Sequence, residues 1–256
     1  MAGSVDLTEK VAIVTGGTAG VGRGIAKRFL EAGAKVLICG RNDPKEPLDF
    51  GGAEALFVQA DVRELEQVSA VVQKAKEEWG RLDILVNNAG GSPEVEAATV
   101  SPRFSSSVIN LNLIAPLNFC QKANEVMQEQ DSGGVIINIA SVSGIRPSPG
   151  TAAYGAAKAG LINLTQTLAI EWAPKVRLNS IIPGPIKTEK FEMHFGDEEG
   201  VAAVSETIPL GRLATPQDIG DISLFLASPL ASYLSGSNIV AHGGGETPAF
   251  LSALKQ

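Results

Sequence analysis

Residues Val11-Ala12-Ile13-Val14-Thr15-Gly16-Gly17-Thr18-Ala19-Gly20-Val21-Gly22 run from an apolar, β-branched segment into a cluster of glycines. The residues that follow, Arg23-Gly24-Ile25-Ala26-Lys27-Arg28-Phe29-Leu30, carry their apolar side chains at helical spacing. The reading is strand, glycine-rich turn, helix. Glycines there allow a tight turn, a close approach of the backbone to a pyrophosphate, and close packing of helix on sheet, while the helix N-terminus offers unpaired N–H groups to the anion. An ordinary turn can also hold several glycines, but the strand before and the helix after favour the anion seat. The spacing T-G-x-x-x-G-x-G differs from the G-x-G-x-x-G of the commoner dinucleotide fingerprint.

The same alternation continues outward from this unit. Short apolar runs at residues 11–15, 35–39, 55–59, 82–87, 135–139, 177–182 and 238–241 read as strands, and segments of helical period fall at 22–32, 65–79, 103–130, 153–173 and 216–227. Strands alternating with helices imply a parallel sheet covered on both faces: a single Rossmann-like, doubly wound α/β domain of about seven strands over residues 1–256. One connection departs from the pattern. Asn42-Asp43-Pro44-Lys45-Glu46-Pro47-Leu48-Asp49-Phe50-Gly51-Gly52-Ala53 holds two prolines and two glycines where such a unit usually carries a crossover helix. It reads as a loop or at most one helical turn, leaving that edge of the nucleotide site more open.

With 256 residues and 44% hydrophobic content the chain can bury one sizeable core. A net charge of −7 gives no electrostatic footprint for nucleic acid or an anionic membrane, so a small-molecule partner fits better. Cys39 falls in an expected strand and Cys120 in an expected helix; both read as small buried apolar residues. The first ten residues lack a basic segment followed by an apolar core, and no apolar run approaches a membrane span. A cytoplasmic location is expected, and no membrane or nucleic-acid partner. His194 and His242 have no paired ligand spacing, so no metal site is expected.

Further along, Ser141 precedes Tyr154-Gly155-Ala156-Ala157-Lys158. Residues four apart share a helix face, which brings the Lys158 charge near the Tyr154 ring. Lowering a phenol from its ordinary pKa of about 10 to about 7 requires roughly 4 kcal/mol of differential stabilisation. A buried cation has the correct sign. Alone, such a pair could equally be solvated. It is joined by Asn87-Asn88-Ala89-Gly90 after one expected strand and Pro183-Gly184-Pro185-Ile186-Lys187-Thr188 after another. These four motifs, in this order and over residues 11–244, resemble the classical short-chain dehydrogenase/reductase family.

The resemblance implies reversible hydride transfer between a nicotinamide cofactor and a carbonyl or secondary alcohol. It implies a tetrad of Asn112, Ser141, Tyr154 and Lys158. Tyr154 would exchange the proton, Ser141 would orient the substrate oxygen, Lys158 would lower the Tyr154 pKa and bind the nicotinamide ribose, and Asn112 would hold a water linking Lys158 to solvent. Asn110 and Asn118 are nearby alternatives to Asn112, and Ser141 could instead satisfy loop backbone groups, as Ser143 is read to do. The cofactor would lie on Gly16, Thr18, Gly20, Val21 and Gly22, with Arg41 and Asn42 at the adenosine ribose. Asp61 would accept from the adenine amino group beside the Val62 N–H. The backbone of Asn88, Ala89 and Gly90 would line the ribose, with Asn87 tying strands together. Pro183, Gly184, Ile186 and Thr188 would hold the nicotinamide end.

Gly40 stands where NAD-preferring relatives carry an aspartate, and Arg41 follows with a planar fork of donors, so NADP(H) is expected over NAD(H). Against this, Ala19 stands where many NADP-preferring relatives have a second basic residue, and Arg41 could be a solvated surface side chain. Residues 189–209, with Phe191, Met193, His194 and Phe195 among five acids, occupy the place of the substrate lid. The helices at 103–130 and 153–173 carry apolar or small residues on more than one face, including Leu111, Leu117, Phe119, Ala156, Ala159, Leu164 and Leu168. A homotetramer is expected from them, with the tail Phe250-Leu251-Ser252-Ala253-Leu254 available for a second interface. Acyl thioesters, steroid or alicyclic ketones and sugars or polyols remain open as substrates. A different class also remains: a non-catalytic dinucleotide sensor or scaffold.

Overall fold

The structure, a computed structural model, describes residues 5–189 and 197–248. In chain order its elements are β1 (Val11–Thr15), α1 (Gly20–Glu31), β2 (Lys35–Gly40), β3 (Asp49–Phe50), β4 (Ala53–Glu54), β5 (Leu56–Gln59), α2 (Leu65–Trp79) and β6 (Ile84–Asn87). Then follow α3 (Pro102–Ile109), α4 (Ala115–Glu129), β7 (Gly134–Ile139), α5 (Ala152–Glu171), β8 (Val176–Pro183), α6 (Glu198–Thr207), α7 (Pro216–Ala227) and β9 (Asn238–Ala241). The seven-stranded sheet has the order β5-β2-β1-β6-β7-β8-β9, and every pairing in it is parallel.

A strand buried on both faces sends alternate side chains to opposite layers. Thus Val11 and Ile13 of β1 join the core beneath α2, α4 and α5, whereas Ala12 and Val14 join the core beneath α1 and α7. Helix α1 answers with Ile25, Ala26, Phe29 and Leu30 on one stripe. Phe29 is fully buried there, which stabilises the fold by about 1.5–3 kcal/mol. Gly80, at φ 74°, ends α2 in the left-handed conformation that lets the chain turn back into the sheet.

Two segments differ from the sequence expectation. The helix expected over residues 103–130 is broken by a π-helical turn at Asn110–Ile114. Pro116 has no N–H to give the Asn112 carbonyl four residues earlier, and the Ala115 N–H reaches back five residues to the Asn110 carbonyl. The connection over residues 41–54 contains no helix, as expected, but is more ordered than a loop: β3 and β4 form an antiparallel hairpin around Gly51 and Gly52, at φ 59° and 85°. Arg23 of α1 ties this arm down by donating to the Glu46 and Pro47 carbonyls, each at 3.0 Å. The remaining strands fall within about two residues of their expected bounds, and the described part of the lid region carries α6. Lid residues 190–196, with Phe191, Met193, His194 and Phe195, and the apolar tail 250–254 lie outside the described residues. Among the described residues no helix is long and apolar enough to cross a membrane, and no metal-ligand cluster occurs.

Candidate active site

Between β1 and β6 the strand order reverses direction, so the loops after these strands diverge and leave a crevice at the carboxyl edge of the sheet. A cleft of about 540 Å³ lies there. Gly16, Thr18, Gly20 and Val21 form one wall, Arg41, Asn42, Asp61 and Val62 the outer end, and Asn88, Ala89 and Gly90 the floor. Ser141, Tyr154, Lys158, Pro183, Gly184, Ile186 and Thr188 close the inner end. Gly22 and Asn112 do not line it. Gly22 packs beneath the turn, where a Cβ would stand 2.4 Å from both the Asn88 amide nitrogen and the Gly16 carbonyl oxygen.

Thr15 organises the floor. Its hydroxyl accepts from the N–H groups of Asn88 and Ala89 at 2.9 and 3.0 Å, while the Asn88 amide donates to the Thr15 carbonyl at 2.9 Å. Asn87 ties strands as expected, donating to the Asn138 side chain at 2.9 Å. These contacts hold the β1 and β6 loops at a fixed separation. The first-turn N–H groups of α1 have no intrahelical partner, and one of them is already used by an anion from the chain itself: Glu189 accepts from Gly20 N–H at 3.1 Å.

At the inner end, Lys158 is buried and donates to the Ile139 carbonyl at 2.7 Å, with its ammonium 5.6 Å from the centre of the Tyr154 ring. Burial pushes its pKa down to about 8. Tyr154 is raised above its ordinary value, because burial disfavours the phenolate more than the nearby Ser141 hydroxyl relieves it. The phenol of the free protein is therefore protonated at neutral pH. Ser141 accepts from the Ser143 N–H at 3.2 Å, which leaves its own proton available to donate. Ser143 is engaged with Ser148, whose hydroxyl donates to it at 3.0 Å.

The π turn brings the fully buried Asn112 side chain to the Gly90-Gly91 turn. Its amide donates to the Gly91 and Val108 carbonyls at 3.0 and 2.9 Å, and its oxygen accepts from the Gly91 N–H at 2.9 Å. A Cβ on Gly90 would meet the Asn112 oxygen at 2.6 Å and the Lys158 nitrogen at 3.4 Å, so these three residues converge behind the floor of the cleft. Both thiols, Cys39 and Cys120, are buried and pushed up to about 12, which makes them unreactive.

A family model described as enoyl-(acyl carrier protein) reductase matches residues 16–246. The chain belongs to the short-chain dehydrogenase/reductase family. It is accordingly an NAD(P)-dependent oxidoreductase acting on CH–OH or C=O groups. A 3-oxoacyl-(acyl-carrier-protein) reductase of Chlamydia muridarum is 40% identical over 93% of this chain and 98% of its own length. A probable 2,4-dienoyl-CoA reductase of Bacillus subtilis is 38% identical over 93% and 97%. Among solved structures, ligand-free aldohexose dehydrogenase from Thermoplasma acidophilum superposes with a TM-score of 0.87 at 30% identity, covering 94% of this chain and 96% of that one.

The cleft of this short-chain dehydrogenase/reductase also includes residues that sequence reasoning passed over. Arg63, Gly91, Leu111 and Glu189 line it. Arg63 follows Asp61 by two residues and Glu189 follows Thr188 directly, so adjacency was the available signal for both. The partner of Asp61 was missed with Arg63: the guanidinium Nε donates to its Oδ1 at 2.9 Å.

Proposed function

We propose that the cleft binds NADP(H) in preference to NAD(H) and that Tyr154 is the acid-base of a carbonyl–alcohol interconversion. The observation that carries this reading is the convergence of Ser141, Tyr154 and buried Lys158 at the inner end of a nucleotide-sized cleft whose floor and glycine-rich wall are held by backbone contacts. When bound, the nicotinamide supplies or accepts the hydride. The chain does the rest. Tyr154, protonated at rest, donates its proton to a carbonyl oxygen in reduction and takes it back in oxidation. Ser141 donates a hydrogen bond to the same oxygen, fixing it near Tyr154. Lys158 holds positive charge beside the phenol and favours the phenolate as it forms. Asn112 fixes the Gly90-Gly91 turn against Lys158, and the carbonyl that Pro116 leaves without an α-helical donor is its remaining acceptor for a water.

Arg41 is exposed at the end of β2, and Gly40 supplies no carboxylate to repel a 2′-phosphate. Arg41→Ala should weaken NADP(H) binding by about one to two decades and leave NAD(H) binding nearly unchanged. Calorimetric titration of both cofactors into both proteins checks this; equal losses would refute it. The substrate is a carbonyl compound or the matching alcohol, and the names of the relatives span acyl thioesters and an aldohexose. Turnover of a panel of ketones, 3-oxoacyl thioesters and sugars with NADPH tests the enzymatic reading, and dinucleotide binding without turnover of any would favour a sensor. We further propose a homotetramer of a single-domain chain, and a reducing, cytoplasmic setting for its two buried thiols.

A further inference from the structure

The outer end of the cleft carries three charges in a row. Strands β2 and β5 end side by side: Gly40 pairs with Gln59, the Gly40 carbonyl accepts from the Ala60 N–H at 2.9 Å, and the Gln59 amide donates to the Arg41 carbonyl at 2.8 Å. This places Arg41, one residue past β2, beside Asp61, two residues past β5, on a shared stretch of wall. A 2′-phosphate drawn to Arg41 therefore meets the Asp61 carboxylate as its neighbour. Left alone, that carboxylate would cancel much of the attraction of Arg41.

It is not left alone. Arg63 grips Asp61 with Nε on one oxygen at 2.9 Å and Nη2 on the other at 2.5 Å, and the Arg63 N–H adds a third bond at 3.1 Å. The far side of the guanidinium reaches the Ser107 hydroxyl of α3 at 3.4 Å, which steadies the pair from a second element. The Asp61 carboxyl is held below its ordinary range, chiefly by Arg63 and to a smaller degree by the charge of Arg41.

We propose that Arg63 is a specificity-determining residue for the cofactor: by neutralising Asp61 in a two-pronged ion pair, it leaves the charge of Arg41 uncancelled and makes the outer end of the cleft receptive to a 2′-phosphate. The inference rests on the reading of the cleft as a dinucleotide site. The pairing offsets the lack of a second cation at Ala19 in the glycine-rich turn, by removing a negative charge in the loop after β5 rather than by adding a positive one. Asp61 keeps one of its roughly four acceptor positions for the adenine amino group, so charge compensation and adenine recognition coexist.

The test is equilibrium binding of NADP+ and NAD+ to the wild-type protein, Arg63→Ala, Arg63→Lys, Asp61→Asn and the Arg63→Ala/Asp61→Asn double variant. The readout is the ratio of the two affinities. Arg63→Ala should lower the preference for NADP+ by about three- to tenfold at low salt, and by less at high salt. Arg63→Lys keeps the charge and should retain most of the ratio. Asp61→Asn should restore the ratio in the Arg63→Ala background, because the unmasked charge is gone. A merely structural Arg63, one that only orients Asp61 for adenine, would weaken both cofactors equally and leave a ratio that the asparagine does not change; that result would overturn the proposal. Absence of any dinucleotide binding by the wild-type protein would instead overturn the cofactor reading itself, and this inference with it.

Discussion

Lys158 is a buried ammonium whose only hydrogen-bond acceptor among the described residues is the Ile139 carbonyl, and the free protein bears a cost for it. Its folded pKa of about 8 lies below the ordinary 10.5, so folding favours the neutral amine. The stability linked to this group is fully present above about pH 10.5 and is lost as pH falls through about 8. At neutral pH the charged form costs roughly 3 kcal/mol, from about 1.4 kcal/mol per pKa unit. Denaturant unfolding of the wild-type protein and Lys158→Met from pH 7 to 10 should show the wild type gaining on the variant above pH 8 and a constant difference below it. A difference independent of pH would contradict the burial account. Tyr154 and Lys158 were legible in the sequence because one helical period links them. The contact of Glu189 was not, because what matters about it is a remote partner, whereas Arg63 had only its adjacency to Asp61 as a signal. The Glu189 partner, Gly20, is 169 residues away, and no local pattern records that distance.

At the scale of elements, the N-terminus of α1 was read from its glycines, and the structure adds a competitor to it. Glu189 places a carboxylate on the Gly20 N–H, where a pyrophosphate would compete for the same donors. Glu189→Gln should tighten binding of either dinucleotide by about two- to fivefold, the size expected for one charge at a helix terminus, and leave binding of adenosine 2′-phosphate, which has no pyrophosphate, unchanged. Unchanged dinucleotide affinity would show that the contact carries no weight. The π turn at Asn110–Ile114 was hidden because its residues keep an ordinary helical apolar pattern. Only the placement of Pro116 four residues after Asn112 records the lost hydrogen bond. The hairpin after β2 was half legible: its prolines and glycines excluded a helix, but two-residue strands exposed on both sides leave no alternation to read.

At the scale of the whole molecule, the sheet and its two cores follow from strand and helix periods that the sequence states openly, because strands buried on both faces are continuous apolar runs. Assembly was harder to read. Phe119 and Leu168, which the sequence offered to a partner, are buried in the monomer's own core. Ala156 and Ala159, which the sequence also offered, are exposed on α5, and they are joined among the described residues by Ile170 on the same helix and by Ile109 and Ile114 at the two ends of the π turn. Helix α5 is apolar on nearly every side, and only one side faces the sheet. Light scattering at micromolar concentration should give a tetramer, and Ala159→Glu should reduce it to smaller species; a wild-type monomer would contradict this assembly. The central claim, that a proton passes through Tyr154 in step with hydride transfer, is tested most directly by Tyr154→Phe. With NADPH and a substrate turned over by the wild-type protein, the variant should retain at most a few per cent of kcat while its NADPH Kd changes by less than about twofold; a variant that turns over at near wild-type rate would contradict the account.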